Sequence, residues 1–211
     1  MGAPGHRFGC SGIDGITFAP APNDKNGKKY LYVAYGIYSQ TDRNDNDNQV
    51  VLRYDISKWE KYKSVLKQNS MPKIGPEKPD GKYFAYTGNT KYGIQNLEYD
   101  CKLGCLFAAV YRGEKPQFPN FYMYVIDLNA PAEIKTVQGL NLKAETLSLS
   151  NYGQKDEKTG IYGVDFPLGA IGMISLGDGN FYFAKDLREE MGRGAVIEKY
   201  TFDGKNFIKV E

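Results

Sequence analysis

Three short apolar segments recur at a fixed step along the chain: Tyr30-Leu31-Tyr32-Val33-Ala34, Cys105-Leu106-Phe107-Ala108-Ala109 and Asn180-Phe181-Tyr182-Phe183-Ala184. Leu31, Leu106 and Phe181 stand at equivalent places, and the steps between them are 106 − 31 = 75 and 181 − 106 = 75. A fixed period constrains architecture more strongly than any local motif, because each unit covers its apolar face only by packing on the next.

Each copy carries three further matching segments. A strand after glycine comes first: Gly12-Ile13-Asp14-Gly15-Ile16-Thr17-Phe18, then Gly93-Ile94-Gln95-Asn96-Leu97-Glu98-Tyr99, then more loosely residues 169–176. After the recurring segment come Val51-Leu52-Arg53-Tyr54-Asp55-Ile56, Met123-Tyr124-Val125-Ile126-Asp127-Leu128 and Ile197-Glu198-Lys199-Tyr200-Thr201-Phe202. Residues 134–137 and 207–210 alternate as half-exposed strands do and give a fourth strand to the second and third copies. In the first copy residues 62–66 and 83–86 compete for that place. Asp178-Gly179 and Asp203-Gly204 supply the positive φ of short hairpins, and helical spacing is hinted at only in residues 56–66.

Four antiparallel strands per unit predict an all-β fold of propeller blades. Blade one spans about residues 12–90, blade two about 92–138 and blade three about 168–211, all within one partial domain. Closed propellers use about four to eight blades, so three form an open arc, about half of a six-bladed ring. Two completions are compatible with this count. In one, the chain is the C-terminal part of a longer protein whose other blades lie upstream, and Met1-Gly2-Ala3-Pro4-Gly5 reads as a loop interior. In the other, a homodimer partner supplies the remaining blades. The compartment follows the same fork: cytoplasmic if the N-terminus is complete, exported if an upstream signal has been lost.

A net charge of +2 with no basic run argues against nucleic-acid binding. The chain has no apolar run near the roughly 20 residues that a membrane helix needs. Cys101 and Cys105 flank a turn and read as reduced side chains. His6 is the only histidine, which leaves little room for a histidine-based triad or a two-histidine metal site.

In a blade running outward from its inner strand, the second-to-third connections and the inter-blade crossings emerge on one face. Those connections are the long ones here: residues 36–49, 112–121 and 185–196, with crossings at 71–92 and 139–168. Long loops held on one side of a rigid framework are usually functional. That face is the candidate site, with Tyr35, Arg43, Tyr92, Gln95 and Arg112 as ligand contacts. The run Thr41-Asp42-Arg43-Asn44-Asp45-Asn46-Asp47-Asn48 alternates oxygen-bearing side chains, which suits Ca²⁺ or another divalent cation. Asp42, Asp45 and Asp47 are its candidate ligands, and the same residues also suit a solvated or substrate-facing loop. Asp14 begins an inner strand and is a further candidate ligand, with Gln95 at the equivalent place and Ile171 at the third.

Asp14-Gly15-Ile16-Thr17-Phe18 followed by Tyr30-Leu31-Tyr32-Val33-Ala34 resembles the strand pair of gluconolactonase-like and other six-bladed propellers. Thr87-Gly88-Asn89-Thr90 and Gln95-Asn96-Leu97-Glu98-Tyr99-Asp100 look like segments of an uncharacterised bacterial propeller family. The first resemblance implies a divalent metal held in the channel, with Asp14 as a ligand, while Gln95 and Ile171 depart from that pattern. Two functions follow as expectations. One is a binding module for a small polar or sugar-like ligand or a protein partner. The other is a metal-dependent hydrolase of lactonase or esterase type.

Overall fold

Alternation at period two, in segments bounded by glycine turns, leaves this chain little choice but strands. The computed structural model describes residues 11–37, 47–70, 74–189 and 192–211. Its strands are β1 (Ser11–Ala19), β2 (Tyr30–Ile37), β3 (Asn48–Tyr54), β4 (Gly81–Tyr86), β5 (Thr90–Asp100), β6 (Cys105–Arg112), β7 (Met123–Asp127) and β8 (Glu133–Thr136). There follow β9 (Lys143–Leu147), β10 (Gln154–Lys155), β11 (Tyr162–Gly163), β12 (Met173–Ser175), β13 (Asn180–Glu189), β14 (Gly192–Phe202) and β15 (Phe207–Lys209). Residues 56–62 and 167–170 form short 3₁₀ helices. The fold is all-β.

Three antiparallel groups follow the repeat. The first runs β1-β2-β3-β4, the second β5-β6-β7, and the third β12-β13-β14-β15. The first and second are joined through one residue pair, Gly36 opposite Gly93. Glycine turns close the hairpins: Gly104, Gly177, Gly179 and Gly204 all take positive φ, at 68°, 81°, 88° and 98°.

The competition for the fourth strand of the first unit is settled for residues 83–86, which lie in β4 and pair with β3. Residues 62–66 are not a strand; their neighbours 56–62 form the 3₁₀ helix, with Asp55 accepting from the Ser57 amide at its start. The fourth strand of the second unit differs from expectation. Residues 134–136 do form a strand, but β8 pairs with β9, and β9 runs parallel to β4 at the far edge of the first sheet. Isolated bridges to Val164 and Leu149 take the place beside β7. Alternation fixes which face a strand buries, not which edge it joins. Cys101 and Cys105 are both free thiols, and the Cys101 Sγ donates to the Gly177 carbonyl at 3.0 Å.

The middle sheet is buried on both sides. Its Leu106, Ala108, Val110, Tyr124 and Ile126 pack with Tyr32, Ala34, Val51, Tyr83 and Ala85 of the first sheet. The intervening Cys105, Phe107, Ala109, Met123 and Val125 pack with Phe181, Phe183, Tyr200, Phe202 and Phe207 of the third. Phe107 stands at the centre of the second layer, 4.7 Å from the Phe181 ring and 5.2 Å from that of Phe202. Such tilted and edge-on pairs add to the area they bury. The face bearing Tyr32, Phe107 and Tyr182 is called the forward face below; the rear face carries Leu31, Leu106 and Phe181. Each forward face meets the next rear face.

Polar contacts lock the layers in register. The Thr17 Oγ1 accepts from the Tyr99 amide, one sheet on, at 3.2 Å. Glu98, which matches Thr17, accepts a backbone hydrogen bond from Ser175. Asp100 is fully buried and accepts from the Leu103 amide at 3.0 Å, the Ser175 hydroxyl at 2.8 Å and the Gly179 amide at 2.9 Å.

Two stability outcomes follow. Asp100→Ala strips three donors, one buried and two part-buried, of their acceptor and costs about 3 kcal/mol, read by urea denaturation; a loss below about 1 kcal/mol would show that water replaces the carboxylate freely. Burial pushes the Glu98 carboxyl up to about 7 from 4.5, against the opposing pull of the Ser175 bond. Folded and unfolded chains are both protonated below 4.5, so its contribution is whole there and is lost as pH rises from about 4.5 to about 7. Glu98→Gln therefore flattens this part of the melting temperature's pH dependence and exceeds the wild type at pH 8. Parallel profiles would reject the assignment.

Candidate functional site

The inner strands β1 and β5 are both irregular at the same end. The β1–β2 register shifts between Ile13 and Ile16, which places Asp14 and Gly15 in the irregularity. The β5–β6 register shifts between Thr90 and Ile94 and again between Ile94 and Asn96, around Tyr92 and Gln95. Bulges re-aim side chains and cluster beside functional sites. Gly36 lies opposite Gly12 across one ladder and Gly93 across another, so the backbones of Asp14, Tyr35 and Tyr92 gather at this end. Arg112, the last residue of β6, lies opposite Thr90 and belongs to the same end.

Aromatic rings and a cation line the rim. Tyr92 meets Tyr111 edge-on at 5.5 Å. The exposed Arg112 guanidinium lies 5.0 Å from the centre of the Tyr122 ring. A hydrogen bond with Tyr122 and the nearby charge of Asp165 hold that guanidinium in its charged form. Lys91 pairs with Glu114 at 2.9 Å, which raises the lysine's proton affinity.

The loops behind the rim are tied down from within. Gln49 is buried and donates to the hydroxyls of Thr87 at 2.9 Å and Thr90 at 3.0 Å. The Asn89 side chain accepts from the Glu114 amide at 3.1 Å. Asn120, with φ of 52°, donates to the carbonyls of Lys115 and Phe118. Lys115 reaches Asp47 at 2.6 Å in a partly buried pair, and Phe118 packs edge-on against Tyr86. A proline-containing loop held by this many contacts loses little entropy when a ligand arrives.

The sequence-derived candidates divide into groups. Tyr92, Gln95 and Arg112 share this end, where Gln95 is buried and its amide donates to the Gly93 carbonyl at 3.5 Å. Asp14 sits at the β1 irregularity and is half-buried, and Tyr35 is placed by its backbone opposite Ile13. Arg43, Asp42 and Asp45 lie outside the described residues. Asp47 is engaged by Lys115. Among the described residues no group of three His, Cys, Asp or Glu side chains converges to hold a metal ion. Sequence reasoning passed over Tyr111 and Tyr122; the Tyr111-Arg112 dipeptide closing a strand beside a long loop is the signal that finds the first of them. Asn89 and Asn120 act through turn geometry, which composition does not reveal.

Comparison with protein-family models, with curated proteins and with solved structures finds no match. The resemblance to six-bladed propellers therefore stands on the residues that carry it.

The loop packing makes one position decisive. A Cβ on Gly113 would lie 2.3 Å from the Asn89 carbonyl oxygen, a backbone atom that cannot swing aside. Gly113→Ala is expected to lower the melting temperature by several degrees and to shift amide resonances at residues 87–90 and 111–120. Gly75→Ala, with nothing within 4 Å of the added carbon, is the silent control. An equally silent Gly113→Ala would mean that these loops are not held as described.

Proposed function

We propose that this chain is a binding module, built as an open arc of three propeller blades, whose loop-bearing rim takes a small polar ligand of sugar-like character. The observation that carries this reading is that two pairs, Tyr92 with Tyr111 and Arg112 with Tyr122, stand at the same strand ends, beside loops fixed by internal hydrogen bonds. Tyrosine offers an apolar ring and a polar tip, so it can cover the flat face of a sugar ring and still bond its hydroxyls. Arg112 supplies a fan of donors with fixed geometry. Gln95, buried, and Asp14, half-buried, lie at the same end and add polar groups to it.

Three repeated sheets, the first and second each with its forward face on the next rear face, support the arc, and about six such units would complete the ring. Fold by itself assigns no chemistry, so the claim rests on the rim alone.

Titration calorimetry against a panel of neutral and acidic mono- and oligosaccharides tests it. Arg112→Ala and Tyr92→Ala are each expected to weaken the best binder by tenfold or more, which is about 1.4 kcal/mol, with unchanged melting temperature. Binding that survives both substitutions, or no binding across the panel, would overturn the proposal.

A further inference from the structure

We propose that two copies of this chain join head to tail, the forward face of the third sheet in each seating on the rear face of the first sheet in the other, to close a ring of six sheets. The inference rests on the half-ring reading above. It comes from comparing equivalent positions in the three sheets.

Tyr182 stands where Tyr32 and Phe107 stand in the earlier units. Those two are fully buried by the sheet that follows, whereas Tyr182 is 39% exposed. Lys199 lies opposite Tyr182 across the β13–β14 ladder, as Arg53 lies opposite Tyr32 across β2–β3. Arg53 shares the forward face of the first sheet with Tyr32, its guanidinium 4.7 Å from the Tyr30 ring centre and 5.6 Å from that of Tyr83. The third sheet thus repeats, on an open face, the tyrosine and cation of a closed one. Ile174, Ile197 and Ile208 surround them, each more than half exposed. Ile174 takes the place held by Thr17 and Glu98, so the contact on offer there is apolar where the internal ones are polar.

The receiving face is open at its inner half. Ile16 lies opposite Val33 as Leu97 lies opposite Ala108, so the two are equivalent. Leu97, with a sheet packed before it, is 1% exposed; Ile16, at the start of the series, is 55% exposed, and Phe18 beside it 50%. The outer half is covered, Trp59 packing edge-on against Tyr54 at 6.0 Å. The seat is therefore the β1–β2 side.

The two open faces differ, so seating one on the other is a heterologous contact. Such a contact propagates into a filament unless its rotation closes. With three sheets per copy, two copies reach six, within the range in which propellers close, and no end face stays open. An isologous pair through the third sheets alone would leave Ile16 and Phe18 in water.

Light scattering and sedimentation of the 211-residue chain test this. A mass twice the 23.7 kDa of one copy is expected at micromolar concentration. Ile16→Glu and Ile197→Glu should each give monomers with unchanged circular dichroism, since both side chains are exposed. Mixed, they should recover a one-to-one pair, because the intact third sheet of the first variant meets the intact first sheet of the second. A monomeric wild type, a ladder of larger species, or a dimer indifferent to Ile16→Glu would overturn the proposal. Small-angle scattering separates the two levels: a monomer shaped as an open arc removes only the pairing, while a compact block of sheets removes the half-ring reading with it.

Discussion

Two-sided burial of the middle sheet is the constraint on which the other layers depend. Leu106 and Phe107 are neighbours in the chain and belong to different cores, one shared with the first sheet and one with the third. Strand side chains alternate strictly, so a slip of one residue in β6 would carry Phe107 into the Tyr32 layer and leave the Phe181 layer without its central ring. Both cores therefore test the same register. Asp100 adds a polar check, since its carboxylate meets Ser175 and Gly179 only when the third sheet sits in its observed place. These contacts are non-local, and that makes the layers cooperative: neither outer sheet can be loosened without exposing one side of the middle one.

Much of this was legible in the chain, for a definite reason. The step of 75 residues and period-two alternation each report on burial, and burial is what the sheets share. The β14–β15 hairpin follows directly from those patterns and their glycines, whereas the strand expected over residues 169–176 is confined to residues 173–175, with 169 and 170 in the 3₁₀ helix. The β8–β9 hairpin was not legible as placed. Ile134 alternates with polar neighbours as an edge strand should, but alternation is silent about which edge receives it, and its strand joins β4 through β9 instead of pairing with β7. The site divides along the same line. Arg112 and Tyr92 could be found because strand register carries them to one end. Asn89, Asn120 and Gln49 could not, because their roles depend on loop carbonyls and amides brought close only by the finished fold.

The irregularities of β1 and β5 connect stability with function. A regular ladder would pair each of these residues and turn alternate side chains into the core. Instead, the register breaks at Asp14 and Gly15 in one strand and around Tyr92 and Gln95 in the other, beside the single pair, Gly36 with Gly93, that joins the two sheets. Away from that end the β5–β6 ladder runs without a break from Asn96 to Asp100, opposite Ala109 to Cys105, in the part of the sheet that is packed on both faces. Departure from repeat geometry is therefore concentrated at that end, and the core is kept there, since Thr90, Ile94 and Val110 are all fully buried. The same sheets that demand regularity in their middle leave their ends free to diverge, which is where a repeat protein can acquire a specific ligand without loss of its core.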